Sequence, residues 1–132
     1  MPTKTSHFSM PRWDETPSDD WSGAKLTRTI ATKEFTGEIE GSGFLEAIML
    51  RMQGDAGVMA YVGVERISCT LEGRTGTFAL LHSAEAIGTE RKAAWRILPG
   101  SGTGELVGIS GQASITPDHD FTLTYEFASE SK

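Results

Sequence analysis

Glycine spacing is the strongest constraint on this chain. Fifteen glycines among 132 residues are about 11%, against a usual share of roughly 7%, and they cluster between runs in which polar and apolar residues alternate. Two-residue alternation punctuated by glycine is the pattern of many short strands joined by tight turns. Disorder does not explain the glycines, because only five prolines accompany them and 38% of the chain is hydrophobic. No segment suits a long helix. The best helical candidate, Ser83 to Arg96, contains Gly88 and shows no apolar stripe at 3.6-residue spacing.

The runs can be placed along the chain. Thr5 to Trp13 reads as a first strand with Phe8 and Met10 on one face, ending at or soon after Pro11. The acidic, turn-rich segment Asp14 to Gly23 reads as a loop, with Trp21 folded back as a plug. Leu26 to Phe35 is a threonine-rich strand, and Thr36 to Gly43 a strand corner or hairpin. Phe44 to Gln53 is apolar on both faces, which implies cover on both sides, by the core and by a subunit contact or another element. Gly54-Asp55-Ala56-Gly57 is a turn, and Val58 to Leu71 a long strand with Tyr61, Gly63, Glu65, Ile67 and Cys69 on one face.

Glu72-Gly73-Arg74-Thr75-Gly76 is a hairpin signal, since glycine accepts the positive φ such turns demand. Thr77 to Ala86 follows, with Phe78, Leu80, His82 and Ala84 sharing a face, and then Glu90 to Leu98, with Ala93, Trp95 and Ile97 sharing one. Pro99 to Gly104 is a glycine loop, Glu105 to Ile109 and Gly111 to Thr116 are short strands broken at Ser110-Gly111, and Phe121 to Ala128 is the last strand. A meander of this size hides its edges best by closing. The expected fold is therefore all-β, an eight-stranded antiparallel up-and-down β-barrel in one domain spanning residues 1–132, with an open sandwich as the alternative.

Charge and composition exclude several functions. Twelve basic against eighteen acidic residues give a net charge of −6, which disfavours nucleic acid and anionic membranes as partners. A single cysteine, Cys69, excludes an internal disulfide, and His7, His82 and His119 stand at no metal-ligand spacing, so no metal and no cofactor are expected. No apolar run approaches the length of a membrane span, and the polar N-terminus lacks a signal-peptide core, so the expected location is cytoplasmic. Gly100-Ser101-Gly102-Thr103-Gly104 lacks the following Gly-Lys-Ser/Thr of a phosphate-binding loop and reads as a turn.

The candidate chemistry rests on polar residues placed among apolar ones. His82 shares its face with Phe78 and Leu80, where an imidazole could move a proton near neutral pH or merely be a satisfied core group. Glu65 lies with Tyr61 and Ile67, and Glu46 with Phe44, Ile48 and Leu50. Burial of either carboxyl should raise its pKa toward acid/base use, unless it pairs with Arg51, Arg66 or Arg96 on neighbouring strands. Tyr61, Trp95 and Tyr125 supply aromatic faces with polar handles for a lumen or, alternatively, plain core. Cys69 has no activating neighbour and reads as core.

Several segments together resemble one bacterial family of small proteins, DUF3224. They are Trp13-Asp14-Glu15, Lys25-Leu26-Thr27-Arg28, Phe35-Thr36-Gly37, Gly63-Val64-Glu65-Arg66, Leu71 to Phe78, Leu81-His82 and Pro99 to Leu106 followed by Gly108 and Gly111. The similarity runs from about Ser6 to Phe127. It implies a barrel like that of allene oxide cyclases, which hold an unstable fatty-acid epoxide in an apolar lumen and act mainly by positioning it. None of that enzyme's polar residues maps onto a matching motif here, so the resemblance implies shape more than chemistry.

The expected partner is a small hydrophobic molecule in an apolar lumen, bound and isomerised or cyclised there. Glu65 and His82 would handle protons, and Glu46 would tune them. Tyr61, Trp95 and Tyr125 would shape the cavity, and Arg66 and Arg96 would attract a carboxylate if either reaches the rim. The alternatives are a non-catalytic carrier or sensor with the same lumen, and a filled barrel that builds a homo-oligomer through the outer face of Phe44–Met52.

Overall fold

The computed structural model describes residues 1–53 and 58–128. The expected Gly54–Gly57 turn lies outside the described residues. The elements are β1 (Thr3–Trp21), β2 (Ala24–Gly37), β3 (Ile39–Met52), β4 (Met59–Leu71), β5 (Arg74–Ile87), β6 (Glu90–Ile97), β7 (Thr103–Gly104), β8 (Ile109–Ile115) and β9 (Asp120–Phe127). All pairings are antiparallel. They run β1–β2–β3–β4–β5–β6–β8–β9 and return from β9 to β1, while β7 adds to β5.

The return is confined to one end of the sheet. β9 pairs with β1 only at Thr3–His7, and β8 pairs with β6 only at Trp95 and Arg96. Arg12–Trp21 of β1 and Glu90–Ala94 of β6 therefore each have one strand neighbour among the described residues. The short β8–β9 hairpin closes one end, its tip reaching Phe8, whose N–H donates to the His119 carbonyl at 3.0 Å. Beyond that tip the sheet gapes between β1 and β6.

Strand β1 overturns one expectation. Residues 14–21 are not a loop and Trp21 is no plug; they continue β1, paired with β2 apart from a register shift between Pro17 and Asp19, and Trp21 is 43% exposed. Pro11 does not end the strand but sits where its register shifts, between Ser9 and Arg12. Prolines and aspartates look like loop residues, yet on an edge with no further neighbour a missing N–H is harmless and charge blocks unwanted pairing. A second correction concerns Glu105–Gly108, which is a turn with Leu106 fully buried rather than a strand. Ser110-Gly111 does not break β8, and Thr103–Gly104 inside the glycine loop forms β7. The β4–β5 turn is as expected: Glu72 and Gly73 both hold positive φ (52° and 75°), as a two-residue hairpin turn of this hand requires.

The core fills the closed end. Phe8, Phe35, Ile39, Ile67, Leu71, Phe78, Leu80, Ile97, Leu106, Ile109, Phe121, Leu123 and Tyr125 form one buried cluster, each large side chain contributing about 1.5–3 kcal/mol by leaving water. Ala31, Leu45, Ala47 and Met49, with Tyr61 against them, form a smaller cluster toward the gaping end. Between the two lies a polar layer. Along β2 the inward series runs Phe35, Lys33, Ala31; along β4 it runs Ile67, Glu65, Gly63, Tyr61; along β5 it runs Leu80, His82, Ala84.

Candidate functional site

Glu65 is fully buried, and its Oε1 accepts hydrogen bonds from two directions. Lys33 Nζ donates at 3.2 Å and His82 Nε2 lies at 2.8 Å. Lys33 and His82 are themselves only 4% and 3% exposed. On its far side His82 presents Nδ1 to the Tyr61 hydroxyl at 3.0 Å, and Trp95 Nε1 donates to that hydroxyl at 3.2 Å. The indole can only donate, and one arrangement that satisfies every partner sends the single phenolic hydrogen to Nδ1 and the imidazole hydrogen to Glu65. In that arrangement the imidazole bridges a Tyr61 donor and a Glu65 carboxylate, and Lys33 supplies the countercharge.

Burial alone would push the Glu65 carboxyl up, but the His82 hydrogen bond and the Lys33 charge outweigh it and hold the group below its usual range. The expected upward shift is therefore corrected, because it omitted the lysine. Burial raises the Tyr61 phenol, with the Trp95 hydrogen bond opposing it and the Glu65 charge reinforcing it. Glu65 Oε2 has no hydrogen-bond partner among the described residues. It lies over Gly43, where any Cβ would collide with that oxygen and stand 3.1 Å from Glu65 Cδ. A bare backbone on β3 is what makes room for the carboxylate.

Above this layer is a cavity of about 270 Å³ at the tip of the β8–β9 hairpin. Its polar lining comes from Lys33, Tyr61, His82, Thr116 and His119, and its apolar walls include Phe8, Met10, Leu45, Met49 and Ile115. Trp13, 44% exposed, stands at the mouth on the part of β1 that pairs with β2 alone among the described residues. His119 holds a left-handed backbone (φ 66°) and stacks on Phe8 with ring centroids 4.7 Å apart. The Lys33 ammonium sits 4.6 Å from the Phe8 ring centre.

A second polar cluster ties β1 to the sheet beside this mouth. Arg51 donates from Nε to Glu15 Oε2 (2.7 Å) and from Nη2 to Glu15 Oε1 (2.9 Å), and Thr27 donates at 2.6 Å. The Arg51 hydrogen bonds, opposed by burial and helped by Thr27 and Trp13, bring Glu15 from 4.5 down to about 2. A depressed carboxyl stabilises the fold fully above its unfolded pKa and loses that contribution as pH falls through its folded one. Glu15→Gln should therefore cost about 2 kcal/mol at neutral pH, allowing for solvent screening. It should also flatten the decline in stability between pH 4.5 and about 2. Urea titrations at several pH values measure both, and an unchanged pH slope would refute the assignment.

Of the residues expected at the site, the structure brings together Glu65, His82, Tyr61 and Trp95. Glu46 is elsewhere: it points outward from β3 and accepts from Arg28 Nε at 2.9 Å, because the opposite parity of β3, with Leu45, Ala47 and Met49, is the inward one. Arg66 and Arg96 are exposed on outward parities, Arg66 lying 5.7 Å from the Phe44 ring, and neither lines the cavity. Tyr125 is fully buried in the closed-end core, away from the cavity lining. Cys69 is buried there too, its thiol pushed up to about 11. The apolar outer face expected on Phe44–Met52 is present in part: Ile48 pairs with Val62, and the two are 53% and 57% exposed. Sequence reasoning missed Lys33, although its parity with Ala31 and Phe35 on β2 placed it inward.

These elements define an all-β protein in which a buried lysine–glutamate–histidine layer separates a packed core from a small, mainly apolar cavity. The chain belongs to the DUF3224 family of proteins of unknown function, whose family model matches residues 4–128. It is similar to the crystal structure of a DUF3224 protein of unknown function from Shewanella oneidensis MR-1. The two are 26% identical, with a TM-score of 0.83 over 98% of this chain and 99% of that one. No curated protein matches the chain.

Proposed function

We propose that this protein binds a small hydrophobic molecule carrying an oxygen acceptor, in an allene oxide cyclase-like β-barrel whose closure at the gaping end is left to the cavity mouth. The circular order of pairings supports the barrel reading. The observation that carries the binding reading is the cavity of about 270 Å³ with apolar walls and Lys33, Tyr61 and His82 together on its lining. Lys33 has three donors and gives one to Glu65, which leaves hydrogens for a ligand oxygen beside the Phe8 ring. In the catalytic form of this reading, an isomerase or cyclase, Lys33 polarises that oxygen while Tyr61, held by His82 and Trp95, positions the ligand against it.

Acetophenone, an aryl ketone with one acceptor oxygen, is a suitable probe. Titrated at millimolar concentration, it should shift the NMR signals of the His82 and Tyr61 rings and of the Leu45 and Met49 methyl groups. Ile115→Trp, which narrows the cavity from its hairpin wall, should abolish those shifts while the fold persists. Shifts elsewhere only, or none, would overturn the reading.

A further inference from the structure

Among the described residues the cavity lining holds one lysine, two histidines, a tyrosine and a threonine, but no carboxylate. The acid beneath it, Glu65, directs Oε1 to Lys33 and His82 and keeps Oε2 over Gly43. The lining therefore pairs one lysine cation with polar side chains, and its walls carry two thioethers, Met10 and Met49, beside the aromatic faces of Phe8, Trp13 and Tyr61. Thioethers and ring faces pack well against another ring. A volume near 270 Å³ is about nine water volumes, room for one ring and a short arm.

We propose that the cavity takes a small aryl carboxylate, and that its binding draws one proton from solvent onto His82. The proposal rests on the binding reading above and names its ligand class.

The proton follows from the charge count. Lys33 and Glu65 balance one another, so the buried layer carries no net charge when the His82 imidazole accepts from Tyr61 at Nδ1. A ligand carboxylate against Lys33 would leave this buried layer one negative charge in excess, which a poorly hydrated site resists. A proton added at His82 Nδ1 removes the excess. It also reverses one bond: the imidazolium donates to the Tyr61 oxygen, which already accepts from Trp95, and the phenolic hydrogen is released to turn toward the ligand. The carboxylate then accepts from Lys33 and from Tyr61. No covalent bond changes, and the proton balance is one proton taken up per ligand. The charged and titratable groups facing His82 are Glu65 and Tyr61 from β4 and Lys33 from β2, while His119 from the β8–β9 turn lines the same cavity.

Calorimetry of the whole chain with 4-phenylbutyrate and with its uncharged amide tests this. The carboxylate should bind at least tenfold more tightly near neutral pH. Its heat should differ between buffers of different ionisation enthalpy by one proton per site, and its affinity should fall about tenfold per pH unit on the alkaline side. The amide should show neither effect. Tyr61→Phe should lose most of the preference for the carboxylate, whereas His119→Asn should keep the proton uptake. An amide that binds as well as the acid, carboxylate binding without proton uptake, or uptake that disappears with His119→Asn would each overturn the proposal. If acetophenone binds and 4-phenylbutyrate does not, this proposal fails and the binding reading stands. If neither binds, both fail.

Discussion

Lys33→Met should lower the unfolding free energy by about 3–5 kcal/mol, among the largest losses expected from any single change outside the closed-end core. The methionine matches the stem of the lysine and would pack against Phe8 as well as the lysine does. What is lost is the lysine charge paired with Glu65, whose side chain has no contact with solvent. The carboxylate must then remain buried without its countercharge or take up a proton, and either is costly. Pairing the substitution with Glu65→Gln separates these causes. The double variant removes both charges and keeps an amide that can meet His82, so it should recover most of the loss. Urea unfolding of the wild type, both single variants and the double variant gives the coupling directly. A single variant as stable as the wild type would show that Lys33 and Glu65 are not an ion pair.

The same residue shows where the sequence was legible and where it was not. Alternation reveals which residues share a face whenever one face is plainly apolar, as in Phe78-Leu80-His82 on β5 and Phe121-Leu123-Tyr125 on β9. Those assignments brought His82, Glu65, Tyr61 and Trp95 inward as the structure has them. On β3 both parities are apolar, and Glu46 was placed with Phe44 and Ile48 on a side that turns out to face solvent. On β2 the inward residues are Thr27, Thr29, Ala31 and Lys33, hardly an apolar stripe, because the polar layer crosses the strand there. A sequence pattern ranks faces by hydrophobicity, so a face holding a buried ion pair ranks too low. The extended form of residues 14–21 was hidden for a related reason: composition reports what an exposed edge needs to stay unpaired, which is also what a loop contains.

Gly43→Ala tests the other half of the polar layer and should destabilise by about 3 kcal/mol. Elsewhere in an extended strand the exchange would gain a few tenths of a kcal/mol to about one, by restricting the unfolded chain. Here the added methyl meets Glu65 Oε2, and the Phe35 ring stands 3.3 Å from the same point. The carboxylate cannot retreat without stretching its bonds to Lys33 and His82, so the methyl acts on the whole layer. The His82 ring resonances should therefore move in this variant although residue 43 does not touch His82. The cycle closes in a Lys33→Met/Glu65→Ala background, where the methyl has no carboxylate to strike. There the further change Gly43→Ala should cost less than about 1 kcal/mol. An equal cost in both backgrounds would assign the glycine to backbone packing against Phe35 and leave Glu65 without the support from β3 that its position implies.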